Sequence, residues 1–239
     1  MSLREAWDHN AGDWVRWARA PRHDSYWRFH GARFLDLVPP PGRLTLDVGA
    51  GEGRVGRDLL RLGHRTVALD GSPAMARACA THQIGQPAAV ADAARLPVRS
   101  GCADLVVSFM ALHDIDDYEG ALDETARVLA PDGRLCLAIV HPINSAGTFE
   151  SGSGGDGDDP AAPFVIRGAY LDRFRYADAI ERDGLPMTFN SAHRPLDAYS
   201  RALERSGFLI EAIREVTVDD PRDRWRRIPL FLHLRARRA

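Results

Sequence analysis

The amino-acid sequence predicts an α/β fold built on a doubly wound, mostly parallel sheet, and three observations lead to that prediction. The apolar run Leu44–Val48 ends in Gly49-Ala50-Gly51-Glu52-Gly53, and helix-compatible residues follow. Two further apolar runs, at 66–69 and 88–91, each end directly in an aspartate. Strands that alternate with helical segments are typical of parallel sheets with right-handed crossovers.

The elements can be assigned in order along the chain. Residues 2–38 are expected to form a helical arm rich in aromatic side chains, which packs on the sheet edge, closes over a ligand, or does both. Prolines and glycine at 39–42 end this arm, and Ser72-Pro73 provides an N-cap with proline at the first helical position. The other expected elements are a helix to about Leu62, a strand at 103–108, a helix at 117–129, a turn at 131–133, a strand at 134–140, a helix at 196–206 and strands at about 208–217 and 228–236.

Residues 141–195 interrupt this alternation. Their segment 151–160 is rich in Gly, Ser and Asp, cannot bury apolar surface, and is expected to be a solvated, mobile loop. Asp156, Asp158 and Asp159 are not followed by the bidentate Glu that a calcium loop needs, so no metal site is expected there. The aromatic residues around the loop suggest an insertion beside the pocket of a second ligand.

Composition fits one compact domain, because 239 residues with 45% hydrophobic content can bury a full α/β core. The net charge of −2 gives no general attraction to nucleic acid or anionic membranes. All 31 basic residues are arginine, which indicates codon bias more than phosphate binding. The three cysteines fit neither a disulfide framework nor a metal site. With no apolar leader and no apolar run of about 20 residues, a cytoplasmic protein is expected.

The acidic residues at the strand ends suggest a ligand. Asp70 ends the second strand, where a carboxylate can accept hydrogen bonds from both hydroxyls of a ribose. Asp92 ends the third strand, where it can accept from an adenine amino group. A glycine turn that brings a ligand close to bare backbone completes the pattern, and adenosine is therefore expected.

The chain resembles the class I S-adenosylmethionine-dependent methyltransferases, in particular the small-molecule enzymes of ubiquinone and menaquinone biosynthesis. The resemblance rests on four ordered motifs: LDVGAGEGRVG (46–56), VALDGSPAMARAC (67–79), ADAARLPVRSGCADLVVSFMALHDIDD (91–117) and RVLAPDGRLCLAIVHP (127–142). It implies a Rossmann-like seven-stranded sheet in the order 3-2-1-4-5-7-6 with the last strand antiparallel. It also implies S-adenosylmethionine as cofactor and a small organic acceptor, methylated at O or N by in-line displacement.

Within this family, particular residues are expected to hold the cofactor. Asp70 is assigned to the ribose and Asp92 to the adenine amino group, and Asp47 orients the glycine loop or contacts the amino group of the donor. The methionine carboxylate needs a cation, for which Arg19 and Arg33 of the arm are candidates. The remaining cofactor assignments are the glycines Gly49 and Gly51, Gly71 or Ser72 beside the base, the backbone of Ala93, and the carbonyl of Ser108.

His113 and His141 are the candidate catalytic residues, because both follow strands at the ligand end of the sheet. Either imidazole could remove a proton from the acceptor. The alternatives are that His113 only packs over the cofactor and that His141 only shapes the turn before Pro142. His193 and Tyr170 are weaker candidates.

The expected organisation is a single methyltransferase domain. It comprises a helical lid (1–40), a cofactor-binding core (41–140), a substrate-side insertion (141–195) and a final helix with strands (196–239). A monomer or homodimer without nucleic-acid or membrane partners is expected. Alternative functions are a non-methylating S-adenosylmethionine-binding protein, a nucleic-acid methyltransferase that uses the arginines at 222–227, or a nicotinamide-dependent dehydrogenase, which would leave Asp92 unexplained.

Overall fold

The computed structural model describes residues 1–82, 86–150 and 159–239. Its eleven strands, among the described residues, are β1 Thr45–Val48, β2 Thr66–Asp70, β3 Ala88–Val90, β4 Ala103–Phe109, β5 Leu129–Val140, β6 Thr148–Phe149, β7 Phe164–Val165, β8 Phe174–Arg182, β9 Leu185–His193, β10 Phe208–Val216 and β11 Phe231–Arg238. The α-helices in the same residues are α1 Leu3–His9, α2 Ala11–Arg19, α3 Gly31–Leu35, α4 Arg54–Arg61, α5 Pro73–His82, α6 Tyr118–Val128, α7 Pro142–Ala146 and α8 Leu196–Arg205.

Seven strands form the central sheet in the order β10-β11-β5-β4-β1-β2-β3. β1, β2, β3, β4 and β5 run parallel, whereas β11 is antiparallel to both of its neighbours, β5 and β10. Numbered along the sheet alone, this is the order 3-2-1-4-5-7-6 with the last strand antiparallel. The predicted doubly wound Rossmann-like topology is confirmed.

Apolar packing covers both faces of the sheet. On one face, Leu122 of α6 and Leu203 of α8 pack with Leu46 and Ile139 of the strands. On the other face, Phe34 of the arm packs with Leu59 of α4 and with β4 and β5. The N-terminal arm is therefore part of the core as well as a neighbour of the cavity described below.

The turn after β1 requires glycine for two separate reasons. Gly49 has a φ of 75°, and a Cβ there would lie 2.3 Å from the Cβ of Ala111. Gly53 has a φ of 87°, and a Cβ there would lie 2.6 Å from Sγ of Cys79. A side chain at Gly49 would push apart the loops that follow β1 and β4. A side chain at Gly53 would push the loop after β1 away from α5.

Several boundaries differ from the sequence prediction. β4 continues one residue further, to Phe109, and β5 begins at Leu129 because the turn predicted at 131–133 lies within this strand. The turn survives there as an irregularity, since Asp132 has a φ of 60° and the register with β4 shifts between Ala103 and Leu105. The solvated loop predicted at 151–160 falls outside the described residues except for its last two positions.

The insertion also contains a β-hairpin that was not predicted. β8 and β9 pair antiparallel from Phe174↔His193 to Arg182↔Leu185. Asp183 and Gly184 connect them, with φ values of 51° and 75°. An Asp-Gly pair between two strand-like runs is a recognised hairpin signal, so the sequence does contain a local indication of this element.

Candidate active site

A cavity of about 490 Å³ opens at the C-terminal edge of the sheet. Its walls include the turns that follow β1, β2, β3 and β4, the N-terminal arm and one face of the β8–β9 hairpin. This volume is in the usual range for sites that bind small molecules and cofactors. Ligands of doubly wound sheets bind at this edge.

Asp70 lines the cavity at the end of β2, beside the glycine turn. Its Oδ2 accepts a hydrogen bond of 2.7 Å from the backbone N–H of Gly51, and its Oδ1 accepts one of 2.8 Å from that of Ser72. Burial raises the pKa of Asp70, and the two backbone hydrogen bonds oppose that shift. The carboxylate therefore fixes two ligand-facing loops and retains oxygen lone pairs for a ligand hydroxyl.

The other residues predicted to contact the nucleoside surround Asp70. Gly71, Ser72, Asp92 and Ala93 all line the cavity. Ser72 caps α5, since its Oγ accepts from the N–H of Met75 at 3.2 Å. Asp92 is exposed, and its Oδ1 accepts from the N–H of Ala94 at 3.0 Å.

Asp47 is a fully buried carboxyl group in this part of the cavity wall. Its Oδ2 atom is inaccessible and has no hydrogen-bond partner among the described residues. Burial, with a smaller contribution from Asp70, raises the pKa of Asp47 to about 7. Because an unpaired buried oxygen is unfavourable, this position fits a ligand donor such as the amino group of S-adenosylmethionine, directly or through water. The glycine turn and this carboxyl together fit the cofactor.

Ser108, Arg19 and Arg33 were predicted at the site, and the structure does not bring them to the cavity. β4 continues past Ser108, so Phe109, Met110 and Ala111 form the wall instead. Arg19 pairs with the buried Glu52 at 3.1 Å, and Arg33 pairs with Asp219 at 2.6 Å on the surface. Both guanidinium groups are engaged in structural ion pairs.

Arg54 lines the cavity, and the sequence analysis missed it. Its guanidinium is buried, forms an ion pair with Asp24 and lies 4.9 Å from the ring centre of Trp14. Burial lowers the pKa of Arg54 to about 9, with a smaller effect from Arg57. The residue follows Gly53 directly in the glycine motif, which is the one signal that the sequence offered.

The two predicted catalytic histidines have different surroundings. His113 lines the cavity, and burial, followed by the charge of Arg194, lowers its pKa to about 3. His141 does not line the cavity: its Nδ1 accepts from the N–H of Ile143 at 3.1 Å, and its Nε2 lies 3.1 Å from Oε1 of Glu215. Both ring nitrogens of His141 are therefore used in capping α7 and in a surface pair, which matches the turn-shaping alternative.

The β8–β9 hairpin forms another part of the cavity wall. Alternate residues of β8 line the cavity, as expected for a strand: Tyr176, Asp178, Ile180 and Arg182. Phe189 and Ser191 of β9 line it as well. Cross-strand partners on this inner face are Tyr176↔Ser191 and Asp178↔Phe189. The inner face of the hairpin is thus a mixed aromatic and acidic surface.

The N-terminal arm holds this hairpin in place. Nε1 of Trp7 donates to the carbonyl of Asn190 at 2.9 Å, and Nδ2 of Asn10 donates to that of Thr188 at 3.1 Å. The rings of Trp7, Trp14 and Trp17 surround Phe189, with centroid separations of 6.0–6.4 Å. The arm and the hairpin together therefore form a continuous part of the cavity wall.

Asp114 lies where the core meets the hairpin. Its Oδ1 accepts a hydrogen bond of 2.6 Å from Oγ of Ser191 and lies 3.5 Å from Nε2 of His113. Burial raises the pKa of Asp114 well above its ordinary value, and the hydrogen bond from Ser191 opposes the shift. A carboxyl group in such surroundings takes up a proton more readily than an exposed one.

Comparison with known proteins shows which family this chain resembles. Residues 46–137 match the family described as a methyltransferase domain. The chain is 36% identical over 115 residues to a demethylmenaquinone methyltransferase from Corynebacterium urealyticum, covering 48% of each chain. It is 32% identical over 164 residues to a malonyl-[acyl-carrier protein] O-methyltransferase from Laribacter hongkongensis, covering 63% of this chain and 53% of the relative. A relative named for a different activity, the mitochondrial arginine-hydroxylase NDUFAF5 of Danio rerio, is 34% identical over 114 residues, covering 46% of this chain and 36% of its own.

The solved structures support the same fold. A S-adenosylmethionine-dependent methyltransferase from Mesorhizobium loti superposes with a TM-score of 0.68 at 23% identity, covering 90% of this chain and 98% of that one. These comparisons support the predicted resemblance of the chain to the class I S-adenosylmethionine-dependent methyltransferases, and S-adenosylmethionine is the cofactor of this class. The particular resemblance of the chain is to the methyltransferases of quinone biosynthesis, although it spans only about half the length of the curated relatives it matches.

Proposed function

We propose that this protein transfers a methyl group from S-adenosylmethionine to an oxygen or nitrogen atom of a small organic acceptor. The observation that carries the proposal is that one cavity is lined by acidic residues from both sides of β1. Asp70 and Asp92 end β2 and follow β3, on one side of β1, and suit a nucleoside. Asp114 follows β4, on the other side of β1, and with the hairpin it would face the second molecule.

The residues on the Asp70 side of β1 would bind and orient the cofactor. Asp70 suits the ribose hydroxyls, Asp92 the adenine amino group, and the unpartnered Oδ2 of Asp47 the amino group of the methionine moiety. Gly49 and Gly51 allow the cofactor to approach the backbone closely. When bound, S-adenosylmethionine supplies a methyl group on a positively charged sulfur, open to in-line displacement.

The residues on the Asp114 side of β1 would position the nucleophile and exclude water. Holding two reactants in line can contribute roughly 7–11 kcal/mol to lowering a barrier when the geometry is good. The arm, proposed here as the lid, and the hairpin enclose this side through Trp7 and Phe189. Asp114, whose pKa is raised by burial, is better suited than His113 or His141 to accept a proton from the acceptor.

Calorimetric titration tests the cofactor half of the proposal. S-adenosylmethionine and S-adenosylhomocysteine should bind at micromolar concentrations, and NAD far more weakly. At about 100 times the dissociation constant, the preferred ligand should stabilise the fold by about 2.7 kcal/mol, which is visible as a higher Tm. Equal or greater stabilisation by NAD would overturn the proposal.

Transfer of a labelled methyl group tests the second half. Incubation with methyl-labelled cofactor and a metabolite extract should move label into a small-molecule fraction. Cofactor binding without any transfer would favour the alternative, a non-methylating binder. Label in nucleic acid would favour the arginine-rich segment 222–227 as a functional surface. We favour the small acceptor because Arg222 pairs with Asp220 and Arg227 donates to the carbonyl of Ala162, and neither lines the cavity.

A further inference from the structure

We propose that the acceptor is an amine that enters the cavity as a cation and is held by Asp114 from the core and Asp178 from the hairpin. This inference rests on the proposed methyl transfer and narrows its acceptor to one chemical class. Before transfer the bound ammonium would give one proton to Asp114, which frees the nitrogen lone pair to attack the methyl group, and the sulfonium would leave as a neutral thioether. The inference follows from the charge balance of the cavity, from the carboxyl groups of Asp114 and Asp178 together with Nδ1 of His113, and from the aromatic rings that also line the cavity.

The charge balance of the cavity is strongly acidic. Among the described residues that line it, nine carry carboxyl groups and three carry guanidinium groups. The three guanidinium groups are already engaged: Arg54 pairs with Asp24, Arg4 donates to the carbonyl of Gly71, and Arg182 donates to the carbonyls of residues 22 and 23. An anionic acceptor would meet more repulsion than attraction here, whereas a cation would find carboxyl groups without cationic partners.

Asp114 is one such carboxyl group. The side chain is 12% exposed, and Ser191 is its only hydrogen-bond donor among the described residues. The nearby Arg194 does not pair with it, because that guanidinium donates to the backbone carbonyls of His113, Ile115 and Asp116. A buried carboxylate without a cation is unfavourable, and an ammonium ligand would provide that cation.

Asp178 is the second such group, and it lies on the same hairpin face. Its partner across the strands is Phe189. Phe189 lies two residues before Ser191, the residue of β9 that contacts Asp114, and both face the cavity. Asp178 is exposed to solvent, and its carboxyl group has no hydrogen bond or ion pair with any described residue. Both residues therefore line the same cavity, Asp114 from the core and Asp178 from the hairpin that contacts it.

His113 adds a neutral acceptor beside Asp114. Its Nε2 lies 3.5 Å from Oδ1 of Asp114, which favours the proton on Nε2 and leaves Nδ1 as an acceptor. The ring is buried, and Nδ1 has no partner among the described residues. An N–H donor from a ligand would satisfy this atom, which otherwise carries the cost of an unpaired buried group.

Aromatic rings form the rest of this wall. Tyr176, Phe189 and Trp17 line the cavity, and Phe189 packs edge-on against Trp17 at 6.0 Å. Faces of such rings attract ammonium groups, and combinations of aromatic rings with carboxylates are a common way to bind them. A neutral alcohol would gain the apolar contacts without the electrostatic attraction, so the site should distinguish an amine from its matched alcohol.

The test is a calorimetric titration of matched probe compounds into the protein of residues 1–239. Each set contains an amine, an alcohol and a carboxylate on the same frame, for example 2-phenylethylamine, 2-phenylethanol and 3-phenylpropanoate, with further sets on an indole and a butyl frame. Titrations are run with and without saturating S-adenosylhomocysteine. In at least one set the amine should bind at least tenfold more tightly than the alcohol, and the carboxylate should not bind.

Two variants connect this preference to the named residues. Asp178→Asn and Asp114→Asn should each weaken amine binding at least tenfold while leaving the affinity for the alcohol within about threefold. The matched control is Glu181→Gln, which removes an exposed carboxylate from the outer face of the same strand and should change neither affinity. Because both Asp→Asn changes preserve side-chain shape, circular dichroism and Tm should confirm that the variants are folded.

The outcomes separate this inference from the proposed function. Alcohol binding equal to amine binding, carboxylate binding tighter than amine binding, or no amine binding in any set would each overturn the inference. If S-adenosylhomocysteine binds in those cases, the cofactor assignment stands and only the acceptor class fails. If S-adenosylhomocysteine does not bind, the proposed function fails, and the titrations without it still decide whether the cavity prefers amines.

Discussion

The backbone N–H of Gly51 donates a hydrogen bond of 2.7 Å to Oδ2 of Asp70, so the end of β2 directly holds the glycine turn that follows β1. The sequence offered two interpretations of Asp70, as a ligand contact or as a turn residue. The structure places it in a position where one carboxylate can have both roles, because it also accepts from the N–H of Ser72 and lines the cavity.

Replacing Asp70 should therefore affect binding and stability together. Asp70→Ala removes a carboxylate that is expected to accept from two ribose hydroxyls, and charge-assisted hydrogen bonds contribute roughly 1.5–3 kcal/mol. The affinity for S-adenosylhomocysteine, measured by calorimetry, should fall at least tenfold. Loss of the bonds to Gly51 and Ser72 should also lower the Tm of the ligand-free protein by several degrees. Unchanged affinity with a lowered Tm would mean that Asp70 is a turn residue alone.

The fold was largely predictable because its signals are local. Apolar strands, the N-cap at Ser72 and the glycine turn each specify their own segment, and their alternation specifies a parallel sheet. The β8–β9 hairpin was not predicted, because its one local signal is the two-residue turn Asp183-Gly184. Arg54 could not be assigned because its surroundings depend on Trp14 and Asp24, which only the folded arm brings to it.

The two histidines illustrate the same limit. Chain position alone put His113 and His141 at the ligand end of the sheet, and both do follow strands there. Which ring nitrogens have partners depends on Ile143, Glu215 and Asp114, and no spacing in the sequence reveals these contacts. The choice between a base and a turn-shaping residue therefore required coordinates.

Replacements at these two positions should have different effects. His141→Ala should cost about 1 kcal/mol of stability through loss of the cap on Ile143, with little change in ligand affinity. His113→Gln should alter binding of the acceptor probes, since this residue lines the cavity. Calorimetry and urea unfolding of both variants check these effects. A large loss of ligand affinity in His141→Ala alone would reverse the ranking.

The ionisation of His113 leads to another prediction. Burial holds its pKa at about 3, so the imidazole should remain neutral between pH 5 and 8. In NMR spectra of the histidine side chains, the signal that is lost in His113→Gln should show no titration in that range. A catalytic histidine would make the reaction rate fall below about pH 6.5. His113 is not expected to cause such a fall, because its imidazole is already neutral in that range. A midpoint near 6.5 for that signal would show that the ring is hydrated and ionisable.

A buried pair of imidazoles should make stability depend on pH. Nδ1 of His30 lies 2.8 Å from Nε2 of His233, and burial, with a smaller effect from Arg33, lowers the pKa of His233 to about 4. Because the folded-state pKa lies below the ordinary value of 6.5, the unfolded chain binds more protons between pH 6.5 and 4. Stability is lost as the pH falls through this window, by about 1.4 kcal/mol per pH unit for one such group.

The variant His233→Leu isolates this contribution. Its free energy of unfolding should fall less steeply than that of the wild type from pH 6.5 to 4, by about 1.4 kcal/mol per unit. Carboxyl groups such as Asp47, whose pKa is raised, have the opposite effect and stabilise the folded state at low pH. Because they are present in both proteins, their effect cancels when the pH slopes of the unfolding free energy are compared. Urea unfolding at several pH values provides the slopes. Parallel slopes in the two proteins would mean that His233 ionises equally in the folded and unfolded states.

The last prediction concerns the turn that positions the hairpin wall. Gly184 has a φ of 75° and no neighbouring atom within 4 Å of a Cβ built on it, so only its backbone conformation opposes a side chain. Gly184→Ala should cost about 1–2 kcal/mol, the usual penalty for a left-handed residue with a Cβ, and lower the Tm by a few degrees. Gly168→Ala is the matched control, because Gly168 has equally open surroundings without a left-handed φ. That change should stay within about 0.5 kcal/mol of the wild type. Equal effects of the two substitutions would show that the hairpin does not depend on the conformation of its turn, and that contacts such as Trp7 with Asn190 hold it instead.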